Sequence, residues 1–425
     1  MENTLELNLP HQAVILCGGL GTRLRPLTDN MPKPMAPVNG KPFLQHLIEQ
    51  VRDQGMRRIL LLTGYRGEMI QDYFGKGEKV GVEIAYSCGP AEWDTGRRLW
   101  ESREQIEPRF ILLYSDNFIQ FNLTRLGRLC QHHETPIGLL LAPKETGNIR
   151  VSPTGEIDAY DKSRRGEGFD FVEVGYMLVK RDQMLTEFPF CADFPDFNFS
   201  VLIEKYAKER KLAGLVVRDP YHSISDLKRL DLMCEYLRPK KILLMDRDGT
   251  INRKAPEGRY ISSWNEFEWI QDTVEAMKSL ASLGFSFIVI TNQAGIARKM
   301  IDQAELDNIH KNMVEQLKVL GVTVLEVYVS PDHWEENSFT RKPAPGLFFQ
   351  AAKEYSLRMD RCLYVGDDER DCIAAAKAGC GMIFFSDGES EPMLDEYPQP
   401  YFRTNSLHAC VELIQKVYDE WGGTA

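Results

Sequence analysis

Short apolar runs alternate with amphipathic stretches along the whole chain, and this alternation restricts the possible folds more than any other feature. Apolar runs lie at residues 13–17, 58–63, 82–86 and 110–114, and amphipathic stretches at residues 42–54 and 97–105. Strands that alternate with helices build βαβ units, in which helices cover a mostly parallel sheet. The sequence therefore predicts an α/β fold.

The pattern restarts near the middle of the chain, which indicates a second domain. An apolar strand over residues 242–245 runs directly into Asp246, and further apolar runs follow at residues 285–291, 324–329 and 362–366. Before this restart, a helical stretch ends shortly before Pro239, and proline commonly follows a helix end. A chain of 425 residues is long enough for two or three domains. We therefore expect two domains in tandem, over residues 1–238 and 239–425.

Composition and charge argue against several classes of protein. Hydrophobic residues make up 43% and charged residues 27%, as in ordinary globular proteins, and the net charge of −11 argues against a nucleic-acid binder. Nine cysteines without paired CxxC spacing indicate free thiols in a reducing compartment. Neither a signal peptide nor an apolar run of about 18–20 residues is recognisable. We expect a cytoplasmic protein that binds neither nucleic acid nor membranes; its oligomeric state stays open.

A glycine-rich string with cations follows the first apolar run. It reads Gly18-Gly19-Leu20-Gly21-Thr22-Arg23, and Lys33 lies ten residues further on, between two prolines. Glycines let the backbone approach phosphate closely, while arginine adds a planar fork and lysine a point charge. A tight turn with solvent-facing cations would explain a bare glycine pair but not the whole string. The pattern predicts phosphate binding by Gly18, Gly19, Gly21, Thr22 and Arg23.

Residues 12–86 resemble the sugar-1-phosphate nucleotidylyltransferases. Residues 32–44 (PKPMAPVNGKPFL) and Gly64-Tyr65-Arg66-Gly67-Glu68 are most similar to guanylyltransferases of D-glycero-D-manno-heptose 1-phosphate. The resemblance implies a Rossmann-like fold, a nucleoside triphosphate with Mg²⁺, and attack at the α-phosphorus promoted by Arg23 and Lys33. It also implies that Asp116 binds the metal and that the sugar phosphate is held by Lys162, Glu173 and Gly175.

Three stretches depart from the family pattern. Asp94-Thr95-Gly96-Arg97-Arg98 replaces a Leu-Gly-Thr-Gly/Ala-Gly string and is closer to glucose-1-phosphate cytidylyltransferases, which leaves GTP and CTP open. Ser115 stands before Asp116, where a glycine is usual. Ser223 stands where the family places a second metal-binding aspartate, so that Asp226 or His222 substitutes for it, or one metal has fewer protein ligands. A domain that binds ligands without catalysing is a third possibility.

Aspartates follow the strand at residues 242–245, and polar motifs follow three later strands. Asp246 and Asp248 are expected at the carboxyl end of a buried strand, where α/β proteins bind ligands. One carboxylate there can accept a phosphoryl group, and the other can protonate the leaving oxygen. The later motifs are Thr291-Asn292-Gln293, Arg341-Lys342-Pro343 and Gly366-Asp367-Asp368 with Asp371. Four ordered motifs predict a phosphate-transfer site rather than a pair of aspartates that cap a helix.

The second half, over residues 240–390, resembles the haloacid dehalogenase phosphatases of the histidinol-phosphate and heptose 1,7-bisphosphate phosphatase branch. The resemblance implies a second Rossmann-like domain, with Asp246 as nucleophile and Asp248 as general acid and base. Mg²⁺ would be held by Asp246, Asp367 and the backbone carbonyl of Asp248. Asp371 is expected to support this site, and phosphate would be bound by Thr291, Asn292, Arg341 and Lys342.

Many members of that branch carry a structural zinc loop, which corresponds here to residues 330–340. Ser330, Ser338 and Thr340 stand in place of its cysteines, and His333 alone cannot form a site that needs four nitrogen or sulfur ligands. We therefore expect no zinc, and a loop held by hydrogen bonds and by the packing of Trp334 and Phe339.

Together, the two halves imply a bifunctional enzyme of sugar-nucleotide biosynthesis. The phosphatase would convert a sugar bisphosphate, D-glycero-D-manno-heptose 1,7-bisphosphate, to the 1-phosphate, and the transferase would couple this product to a nucleoside triphosphate, with GTP favoured. One alternative keeps both activities but uses CTP and another sugar or polyol phosphate. Another makes the N-terminal half a ligand-sensing domain that regulates an active phosphatase.

Overall fold

The chain divides into two compact units, Met1–Leu237 and Arg238–Ala425. The computed structural model describes residue 7 and residues 9–164, 167–386, 392–394 and 397–422. Two regions named in the sequence analysis lie partly outside the described residues. These are the N-terminal segment without a recognisable signal peptide, at residues 1–6 and 8, and the end of the predicted phosphatase region, at residues 387–390. Among the described helices, none is long and apolar enough to cross a membrane.

The N-terminal unit contains a mixed sheet with helices. Its strands are β1 (Gln12–Cys17), β2 (Pro37–Val38), β3 (Lys41–Pro42), β4 (Arg58–Thr63), β5 (Glu83–Cys88), β6 (Arg109–Tyr114), β7 (Asn117–Phe118), β8 (Ile137–Pro143), β9 (Ile149–Val151), β10 (Ile157–Tyr160), β11 (Phe171–Lys180), β12 (Leu212–Val216) and β13 (His222–Ser223). Its α-helices are α1 (Phe43–Asp53), α2 (Gly67–Phe74), α3 (Thr95–Glu101), α4 (Leu123–His132), α5 (Arg181–Glu187), α6 (Ser200–Lys208) and α7 (Leu227–Leu237).

Strand β1 lies near the centre of the large sheet of this unit. The strand order is β10-β9-β11-β6-β1-β4-β5, with β8 beside β11 and β12 beside β8. β1 runs parallel to β4 and β6, whereas β11 runs antiparallel to β6. Every residue of β1 is buried, and Ala13 and Ile15 face one hydrophobic core while Val14 and Leu16 face the other. An uninterrupted apolar run is required because this strand is covered on both faces.

The C-terminal unit is built around a parallel sheet. Its strands are β14 (Ile242–Met245), β15 (Ser286–Asn292), β16 (Val324–Ser330), β17 (Leu363–Gly366), β18 (Gly381–Phe385) and β19 (Tyr401–Thr404). Its α-helices are α8 (Gln271–Ser282), α9 (Gln303–Val319), α10 (Gly346–Tyr355), α11 (Glu369–Ala378) and α12 (Val411–Glu420).

The strand order of the C-terminal sheet explains where a site can form. The order is β16-β15-β14-β17-β18-β19, and all neighbours are parallel. The chain first builds outward from β14 to β16 and then returns to β17 on the other side of β14. Ligands of such sheets bind at the carboxyl ends of the strands, at the point where the order reverses. That point lies between β14 and β17. The predicted α/β fold with two domains is confirmed.

Candidate active sites

A cavity of about 620 Å³ lies in the N-terminal unit, beside the segments that follow β1 and β6. It is lined by the predicted loop residues Gly18, Gly19, Gly21, Thr22 and Arg23. The other predicted residues in its wall are Lys33, Asp116, Lys162 and Glu173. Gly175 lies in β11 against the ring of Tyr114, where an added Cβ would come within 2.6 Å of Cδ2. Gly175 therefore makes room for Tyr114, which itself lines the cavity.

The glycine loop is held in a tight turn. Gly21 has a left-handed backbone (φ +63°), and its carbonyl accepts a hydrogen bond from the Thr28 hydroxyl at 2.9 Å. A Cβ at Gly21 would lie 2.8 Å from Cβ of Lys33. Glycine is thus required there both by backbone conformation and by the close approach of Lys33.

Lys33 and Asp116 meet inside the cavity. Lys33 Nζ donates a hydrogen bond to Asp116 Oδ2 at 2.7 Å. Ser115, which departs from the usual glycine, donates to the carbonyl of Leu16 at 2.5 Å and so ties the loop after β6 to β1. The structure therefore brings together the predicted phosphate-binding lysine and the predicted metal ligand.

The other side of the cavity contains a buried carboxylate. Burial raises the pKa of Glu173, although a hydrogen bond from Asn148 (3.1 Å) and the charges of Arg164 and Lys162 lower it. Arg164 lines the cavity but was not among the predicted residues. Its position two residues after Lys162, a predicted sugar-phosphate-binding residue, was the signal in the sequence that could have identified it.

The residues offered as substitutes for the second metal-binding aspartate have other contacts. Asp226 accepts a hydrogen bond from the backbone N–H of Arg229 at 2.9 Å, and the ring of His222 packs on Tyr236 with centroids 4.4 Å apart. The Ser223 hydroxyl accepts a hydrogen bond from Arg229 Nη1 at 2.9 Å. Asp226 and His222 thus serve the first turn of α7 and its packing.

In the C-terminal unit, three carboxylates converge at the carboxyl end of the sheet. Asp246 follows β14, Asp367 follows β17 and Asp371 lies in α11, and one oxygen from each lies within 4.8 Å of the others. Lys342 Nζ contacts Asp246 Oδ1 at 2.8 Å and Asp371 Oδ1 at 2.7 Å. Lys254, which sequence reasoning missed, contacts Asp367 Oδ2 at 2.6 Å. The predicted metal ligands Asp246 and Asp367 are therefore neighbours.

The pKa of Asp246 and that of Asp248 are shifted in opposite directions. Burial raises the pKa of Asp246 to about 7; Lys342 opposes this shift, while Asp371 and Asp367 reinforce it. Burial also acts on Asp248, but the charge of Arg247 and several hydrogen bonds lower its pKa below the usual range. Those bonds come from Arg247 (2.8 Å), Asn252 (2.9 Å) and Gln293 (2.7 Å). These contacts favour the ionised form of Asp248 and fix its position.

Of the four predicted phosphate-binding residues, Lys342 contacts this cluster and is itself bonded to Asn292, whereas Thr291 and Arg341 have other partners. Thr291, at the end of β15, accepts a hydrogen bond from the Gln293 amide at 3.0 Å. The side chain of Asn292 bonds both the carbonyl and the N–H of Lys342, each at 3.0 Å. Arg341 Nη1 donates to the carbonyl of Asp332 at 3.2 Å. Asn292 therefore positions Lys342 through its backbone.

Comparisons with known proteins give independent matches for the two units. The nucleotidyl transferase family matches residues 12–150, and the polynucleotide kinase 3 phosphatase family matches residues 241–379. D-glycero-alpha-D-manno-heptose 1-phosphate guanylyltransferase of Campylobacter jejuni is 40% identical over 222 residues, which are 50% of this chain and 94% of that protein. D-glycero-alpha-D-manno-heptose-1,7-bisphosphate 7-phosphatase of Photorhabdus laumondii is 32% identical over 162 residues, 36% of this chain and 87% of that protein. The chain therefore belongs to the families of these two relatives, its first unit to that of the guanylyltransferase and its second unit to that of the phosphatase.

Both resemblances drawn from the sequence are thereby confirmed, and the chain combines a nucleotidyltransferase unit with a phosphatase unit. Among solved structures, a D,D-heptose 1.7-bisphosphate phosphatase from B. bronchiseptica, complexed with magnesium and phosphate, is also similar. It aligns with 41% of this chain and 98% of that chain, at 28% identity and a TM-score of 0.38.

In the phosphatase unit, the loop that corresponds to a zinc loop is organised by Asp332. Its Oδ2 accepts hydrogen bonds from Thr340 (2.8 Å), Ser330 (3.3 Å) and Ser338. These bonds, first those from Ser338 and Thr340, lower the pKa of Asp332. Trp334 is half exposed and stacks on His333, with centroids 3.8 Å apart. The hydroxyls at the three former cysteine positions thus share one carboxylate.

Proposed function

We propose that the chain is a bifunctional enzyme of nucleotide-sugar biosynthesis, with functional domains at residues 1–238 and 239–425. The phosphatase hydrolyses the 7-phosphate of D-glycero-D-manno-heptose 1,7-bisphosphate, and the transferase couples the resulting 1-phosphate to GTP, releasing pyrophosphate. One observation carries this proposal. Relatives of the two units, matched independently over most of their length, are named for successive heptose phosphates. GTP as the proposed substrate and nine free cysteines favour the cytoplasm.

In the phosphatase unit, a carboxylate oxygen of Asp246 attacks phosphorus while the bond from phosphorus to the sugar oxygen breaks. Lys342 and Thr291 hold the phosphate oxygens. Asp248 in its acid form gives a proton to the sugar oxygen as it leaves, and the resulting carboxylate then takes a proton from the water that hydrolyses the aspartyl phosphate and releases Asp246. The low pKa of Asp248 suits the second half of that role, in which it accepts the proton of the water.

The carboxylate cluster fits a divalent cation such as Mg²⁺. Asp367 Oδ1 is buried and has no hydrogen-bond partner in the described part of the chain, and carboxylate oxygens are the ligands that Mg²⁺ prefers. Asp246, Asp367 and the carbonyl of Asp248 would hold it. When bound, Mg²⁺ offsets the charge of the phosphate and favours ionised Asp246. Asp371 accepts hydrogen bonds from the N–H groups of Asp367 and Asp368 and positions this loop.

In the transferase unit, the glycine loop and Arg23 bind the triphosphate, and Lys33 lies at the α-phosphate. An oxygen of the sugar phosphate forms a bond to the α-phosphorus as pyrophosphate leaves. Lys162 holds the sugar phosphate, and buried Glu173 accepts hydrogen bonds from sugar hydroxyls. Asp116, beside Lys33, is the carboxylate that would hold Mg²⁺ here.

The test is to incubate the full chain with Mg²⁺, heptose 1,7-bisphosphate and either GTP or CTP. We expect inorganic phosphate, pyrophosphate and GDP-heptose, because both sites act in sequence on one sugar. A preference for CTP would favour the alternative base. Phosphate release without pyrophosphate from any nucleotide would favour the ligand-sensing alternative.

A further inference from the structure

Arg98, in α3, is a buried arginine that donates only to backbone carbonyls. It is 5% exposed. Nη1 donates to the Thr63 carbonyl at 2.7 Å, and Nη2 to the carbonyls of Pro90 at 2.6 Å and Gly18 at 3.4 Å. Buried arginines are usually paired with a carboxylate, because a desolvated charge is costly. In the described part of the chain no carboxylate lies within ion-pair distance of Arg98.

Two glycines make room for this guanidinium. A Cβ at Gly18 would lie 2.1 Å from Cζ of Arg98, and a Cβ at Gly64 would lie 2.6 Å from the carbonyl oxygen of Gly18 and 2.8 Å from Nη2 of Arg98. Neither glycine has a left-handed backbone. Gly18 is therefore explained by the close approach of Arg98, and Gly64 by the close approach of both Arg98 and the backbone of Gly18.

Arg98 touches the phosphate-binding loop at its first residue. Gly18, Gly19 and Arg98 all line the cavity. The carbonyl of Gly18 and the N–H of Gly19 share one rigid peptide plane, so a carbonyl directed at Arg98 also sets the direction of that N–H. Arg98 thus helps to orient the N–H of Gly19, which is a backbone donor in the glycine loop.

The start of α3 is anchored so that Arg98 reaches this loop. Asp94 caps the helix by accepting a hydrogen bond from the Thr95 N–H at 2.7 Å, and it accepts another from Asn198 at 3.0 Å. The Thr95 hydroxyl accepts a hydrogen bond from the N–H of Phe199 at 2.8 Å. Residues 94–98, which depart from the family pattern, therefore form an anchored helix start with Arg98 one turn further on.

We propose that Arg98 is a positioning residue for the nucleoside triphosphate: it holds the glycine loop in its phosphate-binding form and adds beside it a positive charge that forms no ion pair in the described part of the chain. The proposal rests on the proposed transferase function. It assigns the departure at residues 94–98 to the geometry of the phosphate site and not to recognition of the base.

The experiment compares Arg98→Lys and Arg98→Met with Arg103→Met in the full chain. Arg103 is a matched control, because it also donates to a backbone carbonyl, that of Trp100 at 2.8 Å. Calorimetric titration with GTP and Mg²⁺ should show a Kd raised about tenfold or more in both Arg98 variants, since charge-assisted hydrogen bonds are lost. The KM for sugar 1-phosphate should stay within about twofold of the wild-type value, because Arg98 is not proposed to contact the sugar phosphate.

A second variant separates positioning from general stability. In Arg98→Ala, millimolar guanidinium should restore GTP binding, whereas methylammonium should not, because only a planar fork reaches three carbonyls. GTP binding by Arg98→Lys as tight as in the wild type would overturn the proposal. The proposal would also be overturned if the KM for GTP and the KM for sugar 1-phosphate both rose and guanidinium failed to restore GTP binding. If the wild type itself bound neither GTP nor CTP, the proposed transferase function would fall as well.

Discussion

Basic side chains outnumber acidic ones around the cavity of the transferase unit, whereas the phosphatase unit gathers three carboxylates, two of them in contact with Lys342. Each unit also buries an arginine. Arg98 in the transferase unit contacts only carbonyls, whereas Arg247 in the phosphatase unit is paired with Asp248. The first arrangement suits the proposed triphosphate, whose charge basic side chains would meet. The second has an excess of negative charge that the proposed metal ion would offset.

The largest expected effect tests whether the two sites work independently. Asp246→Asn should lower phosphate release by about a thousandfold or more, because an amide is a poor nucleophile, while nucleotidyl transfer remains nearly intact. Lys33→Ala should do the converse. Both products are measured in one reaction mixture. If either single change abolished both activities in a folded chain, the two sites would not work independently.

The same Asp246→Asn variant tests the order of the two reactions. We expect dephosphorylation first, because a second phosphate would bring about two extra charges to a pocket wall that contains Glu173. The variant is given bisphosphate and GTP, and the product is identified by mass. Efficient formation of a nucleotide-sugar phosphate would reverse this order.

The next effect concerns the carboxylate cluster. Asp371→Asn should raise the Kd for Mg²⁺ about 10–100-fold, because Asp371 orients the loop of Asp367 through two N–H groups. Calorimetric titration with Mg²⁺ alone measures this, with Asp368→Asn as a control, since Asp368 caps α11. Equal affinities in Asp371→Asn and the wild type would show that the cluster does not depend on this support.

A smaller effect is expected at the loop of residues 330–340. Asp332→Ala should lower the stability of the phosphatase unit by about 1–3 kcal/mol, because three hydroxyls lose their acceptor. Glu335→Ala, an exposed change in the same loop, should have no measurable effect. Scanning calorimetry of the full chain measures both. We also expect no zinc by elemental analysis, and one zinc per chain would contradict a loop held by hydroxyls.

The smallest expected effect concerns His310, whose ring is hydrogen-bonded to Arg247. Burial and then the charge of Arg247 lower the pKa of His310 from 6.5 to about 3. The unfolded chain therefore binds more protons below pH 6.5, and stability falls as the pH falls, by about 1.4 kcal/mol at pH 5.5. His310→Gln should remove this part of the pH dependence in urea unfolding, whereas exposed His408→Gln should not. An unchanged pH dependence in His310→Gln would show that His310 has the same pKa in the folded and unfolded states.

Much of both sites was predictable, because each motif follows a strand. Asp246 and Asp367 come together because the carboxyl ends of parallel strands share one edge of the sheet, and apolar runs reveal where the strands end. The tight turn at Gly21 was predictable because a left-handed backbone favours glycine. These properties are local: they need only the residue types and their spacing.

Other properties depend on which segments the fold brings together. Gly18 and Gly64 read as loop glycines, yet in the structure Gly18 accommodates Arg98 from a different segment, and Gly64 lies against both Arg98 and the carbonyl of Gly18. Asp332 follows a strand without any motif, and its role arises only when Ser338 and Thr340 fold back onto it. The roles of Asp226 and His222 were likewise decided by α7 and Tyr236. The physical reason is that burial and charge pairing depend on distances in space, which neighbouring residue types in the sequence do not encode.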